Sequence, residues 1–270
     1  MGYVKTPAEI AAMRPMFADP KFLLDGLRIE FETSMNFIKS VLPPCLEAPA
    51  RPLALASVGR WQSWACGEFD TACIYVAARH KGIDGYYNLT MLVSGDMPIS
   101  WGREVWGEGK KQATMGYHRD GGDFYGFGER NGVRLIEIEA ELGPDQGAGE
   151  STSHSFEVKA HPSADGMGLE YDPVLIVLKA HTRYTSLRTG TGRLTLRSSA
   201  LDPCGTVPIV KLGQAVHVNG ESNYTVEAAI PQKDRAAYIP YIYGRNYDDL
   251  SQYPVPARYR RKQALRRAGE

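Results

Sequence analysis

Residues 72–93 read ACIYVAARHKGIDGYYNLTMLV, and this stretch decides the fold class of the chain. Its two halves, 72–78 and 86–93, are rich in β-branched and aromatic residues, which favour strands. The segment between them, 81–85, carries the glycine and aspartate residues typical of a hairpin turn. The stretch therefore predicts two antiparallel strands joined by a tight turn.

Short segments of the same kind recur along the chain, and helical patterns do not alternate with them. They cover residues 52–58, 133–142, 153–160, 174–181, 193–197 and 224–230. Glycine, proline and aspartate turns separate them. This pattern indicates an antiparallel barrel or sandwich rather than a βαβ fold. We therefore predict a mainly β protein with α+β character only at its edges.

Two short helices are predicted at the N-terminal end. Thr6 can cap a helix, Pro7 suits its first position and Glu9 completes a capping box, so a helix should run to about Phe17. A second helix should begin at Thr33 or Ser34 and stop before Pro43-Pro44.

The composition limits the possible partners and compartments. The 270 residues include 31 basic and 31 acidic side chains, and this zero net charge argues against nucleic-acid binding. No secretory signal and no apolar run of about 18 residues is present, so we expect no membrane partner. The four cysteines contain no C-x-x-C pair, which predicts free thiols and a cytoplasmic location.

No break in composition divides the strand-rich region, so a single domain is predicted over residues 1–257. Residues 258–270 differ because they contain six basic side chains and one acidic side chain. A solvated basic tail is the simpler interpretation, and a basic arm for an oligomer interface or an acidic partner is the alternative.

Searches for metal and nucleotide motifs give negative results. The six histidines form no H-E-x-x-H pattern, so no metal site is predicted. Residues 107–111 superficially resemble a P-loop, but Glu104 occupies the position of its first glycine and Lys111 that of its Ser or Thr. No cofactor is therefore expected.

The most unusual segment is WGREVWGEGKK, residues 101–111. Adjacent lysines are usually solvated charges. Here Lys110 and Lys111 follow three glycines and two tryptophans, Trp101 and Trp106, so the backbone and aromatic walls can approach an amine closely. Burial or a second cation disfavours the charged form of a lysine, and a neutral amine condenses with a ketone or aldehyde.

This segment resembles the signature of the acetoacetate decarboxylase family, in which G-R-E precedes a Lys-Lys pair by five to six residues. The segments 42–47, 82–85 and 192–203 also agree with the family, and the resemblance covers roughly residues 28–231. It implies an antiparallel β-barrel-like fold with short N-terminal helices, and a homo-oligomer of four or more subunits. By the resemblance, Lys110 forms a Schiff base and Lys111 is the neighbouring cation that perturbs it.

The chain departs from the family upstream of this signature. Decarboxylases of the family supply an arginine and two glutamates there, and counting back from the signature places these positions near Leu24, Ser57 and Thr71. Without these carboxylates, the charge repulsion that helps to expel CO₂ is missing. An iminium without them suits aldol addition, dehydration or hydration of a 2-oxo acid such as pyruvate.

Other residues are candidates for the missing roles. Arg28 or Arg60 would bind the substrate carboxylate, and Glu68 or Asp70 would serve as the acid or base. The aromatic candidates are Trp101 and Trp106 as pocket walls and Tyr241 and Tyr243 as substrate-orienting groups. For Arg60, Glu68 and the tyrosines, ordinary ion pairing or packing is the alternative.

Three functions are compatible with these observations. The first is a cofactor-free Schiff-base lyase that acts on a small 2-oxo acid through Lys110. The second is acetoacetate decarboxylase itself, which converts a β-keto acid to a ketone and CO₂. The third is a non-catalytic β-barrel that binds a small molecule and retains the lysine for packing.

Overall fold

The computed structural model describes residues 2–18, 20–250 and 253–257, so the predicted basic tail at 258–270 lies outside the described residues. The strands of this part of the chain are β1 (Lys21–Glu32), β2 (Leu53–Ser63), β3 (Gly67–His80), β4 (Ile83–Val93), β5 (Lys110–Gln112), β6 (Thr114–Asp120), β7 (Asp123–Arg130), β8 (Val133–Asp145), β9 (Gly149–Lys159), β10 (Val174–Leu196) and β11 (Lys211–Pro231). The helices are α1 (Pro7–Ala18), α2 (Met35–Val41), α3 (Met97–Trp101) and α4 (Arg235–Asn246), and a π-helical turn, Gly102–Trp106, continues α3. None of these helices has the length and apolar character that a membrane span requires.

The predicted hairpin is confirmed. β3 and β4 pair antiparallel, and only Lys81 and Gly82 lie between them. Both residues have positive φ, 46° and 84°, as the two-residue turns that suit the twist of paired strands require. Gly85 follows in β4, where a Cβ would come within 2.8 Å of the Phe156 ring on β9.

The sheet closes on itself, which confirms the mainly β, barrel-like fold. The strand order is β11-β1-β2-β3-β4-β9-β10, and β10 also pairs with β11 to complete the ring. Its ladders are antiparallel except where β4 meets β9. β4 pairs with β9 only at Tyr86 and Tyr87, and from Met91 onward it pairs in parallel with β5. β4 therefore changes its pairing partner partway along its length.

Side chains alternate between the inside and the outside of this ring because successive strand residues point to opposite faces. The inside is the concave face, where Tyr86 on β4 donates a hydrogen bond to Glu30 on β1 across two intervening strands. The inner apolar cluster includes Phe22, Phe69, Cys73, Met91, Val93, Trp101, Trp106, Ile176 and Leu178. The outer cluster includes Leu27, Ile29, Val58, Ile74, Leu135, Ile138, Phe156, Tyr238 and Ile242, and it is covered by β7, β8, α2 and α4.

The two predicted N-terminal helices are confirmed with their caps. Thr6 donates its backbone N–H to Glu9 Oε2 at 2.9 Å, and its hydroxyl accepts from the Glu9 N–H, which completes the capping box of α1. Ser34 caps α2 by accepting a hydrogen bond from the Phe37 N–H at 3.1 Å.

Some elements were not predicted. β1 and the β5–β7 region gave no clear strand signal, and β10 joins two segments that were predicted as separate strands. Helix α4 also escaped detection because Pro240 and Gly244 are poor helix formers. Packing of Tyr238 and Ile242 against the outer cluster stabilises this helix instead.

Asp25 of β1 joins three strands on the outer face. Its carboxylate accepts hydrogen bonds from Tyr117 on β6 at 2.5 Å, and from His217 and Asn219 on β11 at 2.7 and 3.3 Å. Burial opposes ionisation, but these hydrogen bonds prevail and lower the pKa of Asp25 to about 2. Because an unfolded aspartate has a pKa of about 3.9, the carboxylate stabilises the fold above about pH 4. This stabilisation is lost as the pH falls towards 2.

We predict that Asp25→Asn lowers the free energy of unfolding at pH 7 by about 1 to 2 kcal/mol, a value reduced for partial solvation. The difference from wild type should shrink between about pH 4 and pH 2, which urea unfolding at several pH values will measure. The control Asp84→Asn breaks an exposed pair with Arg79 and should cost less than about 0.5 kcal/mol. Equal stability of wild type and Asp25→Asn at pH 7 would contradict the prediction.

Candidate active site

Register across the sheet places Lys110 inside the barrel. Lys110 pairs with Met91, Met91 with Cys73, Cys73 with Ser57, and Ser57 with Arg28. Directly paired residues present their side chains on the same face. One row of five strands therefore carries Lys110 at one end and Arg28 at the other, both on the inner face.

The Lys110 amine is buried and forms an ion pair. Its Nζ lies 2.7 Å from Glu108 Oε2 and 5.8 Å from the centroid of the Phe69 ring. Lys110 is only 5% exposed and Glu108 only 8%. Gly102 lies directly against both groups, because a Cβ there would overlap Glu108 and come within 2.6 Å of Lys110 Nζ.

The other two glycines of residues 101–111 are also required by close contacts. Gly107 has a φ of 81°, and a Cβ on it would overlap the backbone of Lys159 on β9. A Cβ on Gly109 would lie 2.5 Å from the Arg245 side chain. The glycine spacing thus lets the backbone approach a lysine, a neighbouring strand and an arginine within eight residues.

Aromatic rings surround this ion pair. Trp101 and Trp106 meet edge to face with their centroids 4.4 Å apart, and Trp106 packs 5.7 Å from Tyr224. Burial raises the pKa of Tyr224, so its hydroxyl stays protonated at neutral pH. Tyr224 interacts electrostatically with both Glu108 and Arg28, which places these two charged groups around the same interior.

Lys111 faces the other way, which corrects its expected role as the neighbouring cation. It follows Lys110 in the strand, so its side chain points to the outer face. Its Nζ lies 2.9 Å from Asp202 Oδ1 and 3.5 Å from Asp248, and Arg130 contacts the same two carboxylates at 2.7 and 2.8 Å. The charge of Lys111 is therefore compensated by carboxylates on the far side of the sheet.

Arg60, Glu68 and Asp70 also lie on the outer face, so the structure does not bring them to Lys110. Arg60 is three residues from the inward-facing Ser57, and an odd spacing in a strand reverses the side. It pairs with Asp70 at 3.6 Å and lies over the Tyr117 ring. Glu68 lies two residues before Asp70 in β3, so its side chain points to the same outer face, and it is exposed. Of the two arginines considered, Arg28 alone shares the face of Lys110.

Tyr241 and Tyr243 do not join the site either. They lie on α4, which packs outside the barrel. The Tyr243 hydroxyl donates to the Gly166 carbonyl at 2.9 Å, and its ring packs against Tyr247. Tyr241 interacts electrostatically with Tyr87, which belongs to the outer cluster.

The residue that α4 does contribute is Arg245, which the sequence did not predict. Arg245 is 7% exposed and lies 2.8 Å from Glu157 Oε2 on the inner face of β9. It also donates to the Gly107 carbonyl at 2.7 Å. Burial raises the pKa of Glu157. The positive charge of Arg245 opposes this shift, and the negative charge of Glu108 adds to it.

The interior therefore contains carboxylates, contrary to the expectation drawn from Ser57 and Thr71. Glu108 and Glu157 supply them from positions that counting back from the signature does not reach. Glu108 had a visible signal, because an acidic residue between two glycines in an aromatic segment is unusual. Glu157 had none, because its strand alternation resembles that of any half-buried strand.

A cavity of about 530 Å³ opens beside this segment. Its lining includes Lys110, Lys111, Arg103, Arg130, Asn246 and Asp248. Lys110 is paired with Glu108, and Lys111 and Arg130 are paired with Asp202 and Asp248. The Arg103 guanidinium lies over the Tyr247 ring, 5.2 Å from its centroid.

We predict that Gly107→Ala lowers the free energy of unfolding by about 2 kcal/mol or more, because it combines left-handed backbone with an overlap against Lys159. Gly244→Ala in α4 is the control, since its Cβ meets nothing within 4 Å. That change should be neutral or stabilise by up to about 1 kcal/mol. Thermal and urea unfolding will measure both variants, and equal stabilities would refute the account of Gly107.

Comparison with known proteins identifies the family of this chain. The family model described as acetoacetate decarboxylase (ADC) matches residues 3–236. An acetoacetate decarboxylase of Burkholderia mallei (strain NCTC 10229) is 25% identical over 209 residues, which cover 75% of this chain and 82% of the relative.

The acetoacetate decarboxylase of Legionella pneumophila subsp. pneumophila str. Philadelphia 1 has a TM-score of 0.68 at 20% identity, covering 79% of this chain and 88% of that chain. The enduracididine biosynthesis enzyme MppR complexed with pyruvate has a TM-score of 0.68 at 17% identity, covering 86% and 97%. These likenesses support the fold. The family match over residues 3–236 goes further, and this chain belongs to the acetoacetate decarboxylase family.

Proposed function

We propose that this chain is a Schiff-base-forming lyase that acts on a small 2-oxo acid through Lys110. The observation that carries the proposal is the buried contact of 2.7 Å between Lys110 Nζ and Glu108 Oε2. It joins a primary amine to a base in a site walled by aromatic rings. Such a site excludes bulk water from the reacting groups and strengthens the charge interactions among them.

The contact supports a complete sequence of proton transfers. Glu108 takes a proton from the Lys110 ammonium, and the freed nitrogen lone pair attacks the carbonyl carbon of the oxo acid. Protonated Glu108 returns this proton to the hydroxyl of the resulting carbinolamine, which leaves as water and gives an iminium ion. Glu108 can then remove a proton from the carbon next to the iminium, whose bonding electrons pass towards nitrogen. The enamine adds to an aldehyde, and hydrolysis of the iminium releases the product and restores the amine.

Two arginines near the candidate site support a carboxylate-bearing substrate. Arg28 shares the inner face with Lys110, and Arg103 lines the adjoining cavity. Either guanidinium would bind the substrate carboxylate with paired hydrogen bonds. The row between Arg28 and Lys110 contains the uncharged Ser57, Cys73 and Met91. The similar fold of MppR, which is described with pyruvate bound, favours a 2-oxo acid.

Decarboxylation of a β-keto acid is the second candidate, and Glu108 favours it. A carboxylate beside the amine would repel the carboxylate of the bound β-keto acid and so assist its loss as CO₂. The electrons of the broken C–C bond would pass to the iminium, and protonation of the enamine carbon would follow. Relatives named acetoacetate decarboxylase belong to the same family.

We predict that sodium borohydride with pyruvate traps a reduced covalent adduct on Lys110 near pH 7, located by intact mass and peptide mass spectrometry. Hydride reduction of the iminium makes the bond permanent. Lys110→Arg should form no adduct, because its guanidinium does not condense with the ketone. Lys111→Met is the matched control and should still be trapped, since Lys111 faces the outer side.

The same trapping with acetoacetate, together with a measurement of released CO₂, separates the candidates. An adduct with pyruvate and no CO₂ from acetoacetate supports the 2-oxo acid lyase. Release of CO₂ that depends on Lys110 supports the decarboxylase instead. Absence of any adduct across a panel of oxo acids would leave the non-catalytic binding protein and would refute both enzymatic proposals.

We also predict that Glu108→Gln slows adduct formation with pyruvate by about 100-fold or more, because the site loses its nearest proton acceptor. Glu104→Gln is the control, since Glu104 lies four residues earlier and is exposed. Its rate should stay within about twofold of wild type. A Glu108→Gln rate close to that of wild type would remove Glu108 from the mechanism.

A further inference from the structure

The point at which β4 changes partner leaves a gap in the barrel wall. β4 is paired with β9 at Tyr87 and with β5 from Met91, so Asn88 begins a stretch with neither partner on that edge. Backbone carbonyls at such a gap have no neighbouring strand to donate hydrogen bonds to them. Buried carbonyls require donors, so other groups must supply them.

Arg245 fills this gap from outside. Its guanidinium donates to the carbonyls of Asn88 at 3.3 Å, Val158 at 3.2 Å and Gly107 at 2.7 Å. These carbonyls belong to β4, to β9 and to the turn that leads into β5. The planar fork of an arginine carries donors in several directions, which a lysine ammonium cannot reproduce at the same reach. One side chain therefore joins the three segments that meet at the gap.

The same side chain holds both ends of the tripeptide 107–109. It binds the Gly107 carbonyl, and its aliphatic part packs against Gly109, where even a Cβ would come within 2.5 Å. Glu108 lies between these two contacts, and Lys110 follows directly. Arg245 thus contacts this segment on both sides of Glu108 and directly before Lys110.

Glu157 balances the charge of Arg245 at 2.8 Å. Both side chains are almost fully buried, and Glu157 also interacts electrostatically with Glu108 and Lys110. The interior therefore holds two ion pairs side by side. Removal of Arg245 alone would leave Glu157 buried without its counter-ion, and this effect must be separated from the loss of positioning.

We propose that Arg245 is a positioning residue for the reaction, which holds Lys110 and Glu108 in reactive geometry by tying Gly107 and Gly109 across the gap between β4 and β9. This inference rests on the proposed Schiff-base function. It assigns Arg245 no contact with substrate. Its effect on the reaction passes through the segment 107–110.

The test compares variants of Arg245 in the rate of borohydride trapping as a function of pyruvate concentration. Arg245→Met should lower the maximal rate about 100-fold while the half-saturating pyruvate concentration changes less than about threefold, since misplaced reacting groups lose rate. Arg245→Lys should recover part of that loss, because it keeps the charge and a single donor nitrogen. Arg235→Met is the matched control on the same helix: Arg235 binds Asp172 at 2.6 Å and the carbonyls of Leu169 and Glu170, and none of these partners belongs to the segment 107–110.

The double variant Glu157→Gln with Arg245→Met separates positioning from charge balance. It removes both buried charges, so it folds without an unpaired carboxylate, yet it does not restore the tie to Gly107. The proposal predicts that its maximal rate stays as low as that of Arg245→Met. Recovery of the wild-type rate in the double variant would show that Arg245 acts only as the counter-ion of Glu157 and would overturn the proposal.

Hydrogen exchange provides a readout that does not depend on the reaction. The Gly107 and Glu108 amides donate to the Gly102 carbonyl at 2.9 and 3.1 Å, and the Lys110 amide donates to the Glu108 carbonyl at 2.9 Å. Exchange in a peptide covering 102–112 should be about tenfold faster in Arg245→Met and unchanged in Arg235→Met. Unchanged exchange would overturn the positioning role even if trapping succeeds. Faster exchange with no trapping in wild type would refute the enzymatic function and leave the structural tie intact.

Discussion

The change of partner by β4 is the constraint on which the rest of the structure depends. A strand that keeps one neighbour along its whole length would close the barrel wall and leave no place for a short inserted strand. Because β4 leaves β9 after Tyr87, β5 can enter at Met91 and present Lys110 to the interior. The same change opens a gap that needs donors for its carbonyls, and Arg245 supplies them. The site and its support thus originate from one irregularity in the sheet.

Burying charge in this interior requires compensation at every step. An ammonium or a carboxylate loses its hydration inside a barrel of aromatic rings, and only a close counter-ion offsets that loss. Lys110 has Glu108, and Arg245 has Glu157. On the other side of the sheet, Lys111 and Arg130 share Asp202 and Asp248. The two adjacent lysines therefore belong to separate charge networks, one in the candidate site and one that attaches the segment after α4 to the barrel.

The parts of the fold that could be predicted are those with local signals. Thr6 and Ser34 mark helix starts because capping acts within one turn, and the turn at Lys81-Gly82 is set by backbone angles that few residues adopt. Helix α4 could not be predicted, because it contains Pro240 and Gly244 and is stabilised by packing. The residues of the candidate site also divide into those with a local sequence signal and those without one. Lys110 stands out among glycines and tryptophans, whereas Arg60 and Arg28 are equivalent candidates until the register separates them.

The sequence by itself determined the strand-rich character, the β3–β4 hairpin, the two N-terminal helices and the segment 101–111 that contains the amine. These depend on propensities and spacings within about a dozen residues. Only the tertiary structure decided which face each strand residue occupies, since a shift of one residue in register exchanges inside and outside. It therefore decided that Arg28 faces inward and that Lys111 faces away. It also brought Arg245 to Gly107 across 138 residues and Asp202 to Lys111 across 91, contacts that arise from sheet closure and carry no local signal.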